Sequence, residues 1–184
     1  MERILVSSCL LGRPVRYDGR GKPLHGGLFE RWRNEGRLVP FCPEVSGGLP
    51  VPRPPAEIVL RRTSAPGAPS PPPEPSTGTV KSAGAAVLDG AAQVLTDTGA
   101  DVTEHFIRGA RLALEGAERS GARIALLKEG SPSCGSGRIY DGTFTGTPIA
   151  GAGVTTVLLE RAGIRVFSED RLPELEALLK DLEK

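Results

Sequence analysis

Ile4-Leu5-Val6-Ser7-Ser8-Cys9 opens the chain, and Leu38-Val39-Pro40-Phe41-Cys42-Pro43-Glu44 answers it some thirty residues on. Each is a short apolar run that stops at a polar turn, the pattern of a strand buried on both faces. Between them, Leu28–Glu35 places Leu28, Phe29 and Trp32 on one side of a predicted short helix that ends at Gly36. Strand, helix and strand in that order predict a right-handed parallel crossover. Cys9 and Cys42 then stand at the carboxyl ends of neighbouring strands, the edge at which open α/β sheets bind ligands.

The same alternation continues outward. Asp101-Val102-Thr103-Glu104 has the form of a capping-box start. Val102, Phe106, Ala110, Ala113, Leu114 and Ala117 carry a helical apolar face from there to about Ser120. Arg123–Lys128 predicts a third buried strand, followed by the loop Gly130-Ser131-Pro132-Ser133-Cys134-Gly135-Ser136-Gly137. Val154–Ala162 reads as a helix, Ile164–Phe167 as a strand and Arg171–Leu182 as an amphipathic closing helix with Ser168 or Asp170 as its cap. Ala85–Leu88 and Ala91–Thr96 flank Asp89-Gly90, a hairpin turn signal. Thr63–Thr79 is Pro-rich and of low complexity, which predicts an exposed flexible loop. The expected architecture is α/β: a Rossmann-like three-layer sandwich with a mostly parallel sheet and a small β-hairpin insertion. It is expected to be a single domain over residues 1–184, with the Pro-rich loop inside it.

Composition sets the outer limits. A chain of 184 residues can bury an ordinary core without staples. A formal charge of +1 without a basic run argues against a nucleic-acid surface. No stretch approaches the roughly 18 apolar residues of a membrane helix. Nothing at the start resembles a secretion signal, so a cytoplasmic, reducing location is expected, where free thiols persist. A homodimer is compatible with a domain of this size.

The three cysteines are the place to look for chemistry. An odd number, far apart in sequence, does not make a disulfide framework. Any one of them can be a small buried hydrophobe. Yet each lies just past a strand, beside Pro, Gly or Ser, where the backbone turns outward. No Cys-x-x-Cys pair exists, and a structural zinc would need a fourth ligand from His25 or His105. Iron–sulfur clusters usually take four thiolates; three would leave one position open. Glu44 is the candidate acid or base, or else a turn cap or the partner of an arginine. Ser131 and Ser133 can bond a ligand, relay a proton or cap the turn that follows. Gly135-Ser136-Gly137 can present N–H groups to an anion or a cluster sulfide. Tyr17 and Asp18, with Arg13 and Arg16, lie in the loop after Cys9, either as a pocket wall for a flat ligand or as a solvated turn.

Taken together, Ser8-Cys9-Leu10-Leu11-Gly12, Arg16-Tyr17-Asp18-Gly19, Pro40-Phe41-Cys42-Pro43-Glu44, Gly47-Gly48-Leu49, Asp101-Val102-Thr103 and Ser131-Pro132-Ser133-Cys134-Gly135 resemble the TudS-like thiouracil desulfidase family, in order, over about Ile4 to Phe167. The resemblance implies a [4Fe-4S] cluster held by Cys9, Cys42 and Cys134, with one iron left for the sulfur of a thiolated pyrimidine. It implies Glu44 and Ser131 as catalytic residues, with Ser133 close by. The implied reaction is 2-thiouracil to uracil and hydrosulfide, without net electron transfer. Two alternatives are a non-catalytic protein that binds a metal, a cluster or sulfide, and an enzyme with a cysteine nucleophile. The second lacks a convincing histidine partner.

Overall fold

The structure, a computed structural model, describes residues 1–60 and 83–184; the expected Pro-rich loop at 63–79 lies outside them. Its centre is a four-stranded sheet of β1 (Ile4–Ser7), β2 (Leu38–Phe41), β5 (Ile124–Leu127) and β8 (Arg165–Ser168), in the order β2-β1-β5-β8. All neighbours are parallel, with Val6 opposite Pro40 and Leu126, and Leu126 opposite Phe167. Pro40 has no N–H for a ladder; it is accommodated because β2 is an edge strand with a neighbour on one side only.

Alternation along the strands decides what each face binds. Ile4, Val6, Ile124 and Leu126 pack on Phe29 and Trp32 of α1 (Gly27–Asn34) and on Leu175 and Leu179 of α6 (Leu172–Leu182). Leu5, Ala125 and Leu127 face the other way, onto Ala113 and Ala117 of α4 (Thr103–Ser120) and Leu159 of α5 (Val154–Arg161). This is the expected three-layer sandwich. The chain leaves β1 for β2 on one side and later returns to β5 on the other, so the sheet's switch point lies beside β1.

A second, smaller core lies beyond the sheet. There β3 (Ala56–Leu60) pairs antiparallel with β4 (Ala92–Thr96), and β6 (Arg138–Tyr140) with β7 (Pro148–Ala150). Ile58, Val94, Phe106 and Ile139 meet beneath them. Antiparallel pieces are thus present, but the hairpin expected over residues 85–96 is not one of them. Ala83–Leu88 is a helix, α3, and Asp89-Gly90 ends it. Gly90 takes a left-handed φ of 77° and its N–H donates to Val87 O, while Ala91 N–H reaches Ala86 O. Ala-Gly-Ala-Ala-Val-Leu is mostly strong helix former, and the glycine that resembles a hairpin turn is its C-terminal stop. The capping box at Asp101 is also replaced: Val102 is the N-cap without a side-chain bond, and Asp101 Oδ1 accepts instead from Thr103 N (2.9 Å).

Candidate active site

The three parallel strands β1, β2 and β5 deliver Cys9, Cys42 and Cys134 to one cleft of about 750 Å³, which all three line. Cys9 sits in the 3₁₀ turn directly after β1, and Cys42 ends β2 where Pro43 starts the short helix α2 (Pro43–Ser46). Cys134 arrives by a longer loop after β5. Burial pushes the Cys9 thiol up to about 11, with the charge of Cys42 adding to it. Burial raises Cys42 as well, against the N–H groups of Val45 and Glu44. Cys134 is raised furthest, although the hydroxyls of Ser133 and Ser7 favour its thiolate. All three are thus protonated near neutral pH when no metal is bound, which disfavours a free cysteine nucleophile.

The Cys134 loop is held by a carboxylate that sequence reading did not single out. Glu129, buried at the end of β5, accepts from the N–H groups of Ser136 (2.9 Å), Gly137 (3.1 Å) and Arg138 (3.0 Å), and from Gly130 at 3.3 Å. Burial pushes this carboxyl up, but its backbone donors outweigh burial and hold it below the usual range. The N–H groups of Gly135-Ser136-Gly137 are therefore turned largely to Glu129 and to the loop itself, away from the expected role at an anion: Gly135 N–H donates to Ser131 O. The loop also closes the start of α5: Val154 N–H donates to Pro132 O, and Thr155 and Thr156 N–H to Ser133 O. Thr156 Oγ1 donates to Cys134 O at 2.9 Å. These N–H groups begin a helix and have no partner within it, so the cysteine loop serves as its cap.

Glu44, on the first turn of α2, is the partner of an arginine, one of the roles weighed for it, and it also meets the serine loop. Its Oε1 accepts from Ser133 Oγ (2.9 Å) and Ser131 Oγ (3.2 Å), and the serines bond each other at 2.9 Å. Its Oε2 accepts from Arg53 Nε (2.9 Å) and Nη2 (2.7 Å). Arg53 is a second residue the sequence did not reveal. Its side chain is only 6% exposed, and its guanidinium also donates to the carbonyls of Val15 (3.0 Å) and Pro50 (3.2 Å). One carboxylate oxygen is therefore anchored and the other is turned to the serine loop.

α2 is seated against α4 with no room to spare. A Cβ on Gly109 would stand 2.1 Å from Pro43 O, and one on Gly47 would stand 2.1 Å from His105 O. His105 Nδ1 lies 3.0 Å from Gly47 O, and since a carbonyl only accepts, that nitrogen carries the proton. His105 thus belongs to the packing of α2 and α4, and His25 is exposed before α1. Neither supplies a fourth ligand to the thiols.

The remaining sequence candidates divide. Tyr17 lines the cleft, whereas Asp18 is not among its lining residues. Asp18 instead accepts from Arg20 N–H (3.1 Å) and lies 3.7 Å from Arg16, which makes it a turn residue. Ser133 is buried and its hydroxyl lies 3.5 Å from Cys134 Sγ, while Ser131 is half-buried and also accepts N–H bonds from Ser133 and Cys134.

The donor set can be matched to a metal group by its chemistry. Among the described residues no three His, Cys, Asp or Glu side chains are arranged to hold a single metal ion. A lone zinc requires its sulfurs about 2.3 Å from one point. A cluster takes each thiolate on a different iron, so its ligands surround a shared cavity, and these three line one.

An α/β sheet with three thiols and a carboxylate–serine network lining one cleft at its switch-point edge has the donor set of a thiol-rich cofactor site. The family model for 2-thiouracil desulfurase matches residues 4–171, and the chain belongs to that family. It is 42% identical over 172 residues to the uncharacterized protein YbbK of Bacillus subtilis (strain 168), covering 94% of this chain and 99% of that one. Among solved structures it resembles the [4Fe-4S]-dependent thiouracil desulfidase TudS, with 49% identity, a TM-score of 0.78, and coverage of 98% of this chain and 99% of that one.

Proposed function

We propose that this enzyme removes sulfur from thiolated pyrimidines, converting 2-thiouracil and water to uracil and hydrosulfide, with a [4Fe-4S] cluster held by Cys9, Cys42 and Cys134. The observation that carries the reading is the meeting of three thiols with the Glu44–Ser131–Ser133 network in one cleft. When bound, the cluster supplies a Lewis-acidic iron without a protein ligand, suited to the substrate's sulfur.

The chain's own residues account for the rest. Glu44 Oε1 takes a proton from the attacking water, whose oxygen bonds to C2 as the C–S bond breaks and its electron pair leaves with sulfur. One proton is released overall and nothing is oxidised or reduced. Arg53 fixes Oε2, so that Oε1 keeps its aim through the reaction. Ser131, the less buried serine, orients the water, and Ser133 ties Glu44 to the Cys134 sulfur. The role of the mostly apolar surroundings is to keep other water away. The choice of Ser131 over Ser133 is supported by the family resemblance and by the exposure of the two serines. The reading includes one domain over residues 1–184 and a cytoplasmic location, where reducing conditions keep thiols free. No described helix is long and apolar enough to cross a membrane.

The test is anaerobic reconstitution followed by assay for uracil. Iron and sulfide at about four each per chain are expected. Cys9→Ser, Cys42→Ser and Cys134→Ser each lose cluster and turnover together. Glu44→Gln keeps the cluster and loses about 100-fold or more in kcat. Full turnover by Glu44→Gln would remove that residue from the mechanism, and reconstituted protein without iron would defeat the whole reading.

A further inference from the structure

The cleft is also walled by residues of the second core, and one residue beside them is held in an expensive conformation. Phe144 lines the cleft and has φ of 60°, the left-handed region; it is the one non-glycine residue in that region among those described. A bulky side chain adopts this backbone only where its surroundings impose it. Here the surroundings are identifiable. Glu57 of β3, itself buried and part of the cleft wall, accepts at Oε2 from Gly142 N–H (2.8 Å) and Phe144 N–H (3.1 Å). Gly142 lies so close to β3 that a Cβ would stand 2.7 Å from Ile58 O. Asp141 Oδ1 closes the turn by accepting from Thr143 N–H (3.0 Å) and its hydroxyl (2.6 Å).

The core does not explain this arrangement. Phe41 and Phe106 also line the cleft, but both pack in hydrophobic clusters; Phe144 belongs to none of the three. It is half-buried, an aromatic side chain given to the cleft and not to the interior.

We infer that Phe144 is the stacking platform for the flat pyrimidine, and that Glu57 is a positioning residue that holds the platform in place. The inference rests on the proposed function for the identity of the base. An aromatic face grips any planar base with little regard to its substituents. Phe144 thus contributes to binding the ring in both substrate and product, while the thiols and Glu44 act at the sulfur-bearing carbon. Its loss should fall on KM and leave kcat nearly untouched, since stacking on the ring is the same before and during C–S cleavage.

The experiment uses the cluster-loaded enzyme, with uracil binding measured by calorimetry and 2-thiouracil turnover measured separately. Phe144→Ala should raise the uracil Kd and the 2-thiouracil KM together by roughly tenfold, with kcat within about twofold. Phe144→Tyr should retain binding, and Phe144→Leu, with bulk but no π face, should behave like the alanine variant. Glu57→Gln should weaken binding in the parent enzyme but add nothing in the Phe144→Ala background; an equal further loss there would overturn the positioning role. Should Glu57→Gln fail to fold, Gly142→Ala, which is strained against Ile58 O, probes the same support, with the same non-additivity expected. Unchanged Kd and KM in Phe144→Ala would overturn the stacking role, even with turnover intact. Uracil binding that depends on Phe144 in an enzyme that releases no uracil from 2-thiouracil would instead defeat the desulfuration reading and keep the platform.

Discussion

Glu129 and Glu57 line the same cleft and do similar work, yet their carboxyls shift in opposite directions. They are 7% and 8% exposed, and each holds a loop through backbone N–H groups. Burial pushes both up. Glu129 has N–H groups from Gly130, Ser136, Gly137 and Arg138 to oppose it and ends below the usual range. Glu57 has those of Phe144 and Gly142, with the charge of Asp141 against it, and ends above. The number of donors, with the Asp141 charge beside Glu57, sets the sign. The wall that bears Cys134 is therefore fastened by a stable anion, and the wall that bears Phe144 by one held at a cost.

The largest test of that contrast is truncation. Glu129→Ala should cost about 2–4 kcal/mol, because several N–H groups of the cysteine loop lose their acceptor together. Urea unfolding measures this, and turnover should fall with it as Cys134 loses its support. Glu57→Ala should cost less, about 1–2 kcal/mol, for its two donors. Equal costs would break the comparison.

The finer test is pH. Glu129 has a folded pKa below its unfolded value near 4.5, so its stabilisation is present above that pH and fades as pH falls through the folded value. Glu57 is the reverse: its folded pKa is raised, so its ionised form costs stability at neutral pH and the cost is relieved as pH falls. As pH falls through 4.5 and below, wild type should lose stability relative to Glu129→Gln, and as pH falls from neutral to 4.5 it should gain stability relative to Glu57→Gln. Parallel trends in the two variants would show that something other than these donors and that charge sets the direction.

Much of this molecule was legible in its residues, and the boundary has physical causes. The apolar runs at Ile4 and Ile124 are buried on both faces and the run at Leu38 is a half-buried edge strand, so all three stand out as strands, and each cysteine follows its run. Arg53 follows a proline-rich turn with no periodicity to mark it, and its partner Glu44 becomes visible only when the chain has folded back. β3 finds its partner β4 across the Pro-rich stretch, so the pairing that carries Glu57 leaves no local trace. Asp89-Gly90 shows the converse: the same dipeptide serves a hairpin or a helix end, and the alanines before it decide which. Glu129 had a signal that could be read, an acid at a strand end before a run of glycine and serine N–H groups in need of an acceptor.

One feature of the cysteine loop reaches beyond catalysis. The carbonyls of Pro132 and Ser133 accept from the N–H groups of Val154, Thr155 and Thr156 at the start of α5. The position of Cys134 is thus tied to that helix by three backbone bonds, and a substitution that frays the helix start should be felt at the thiol.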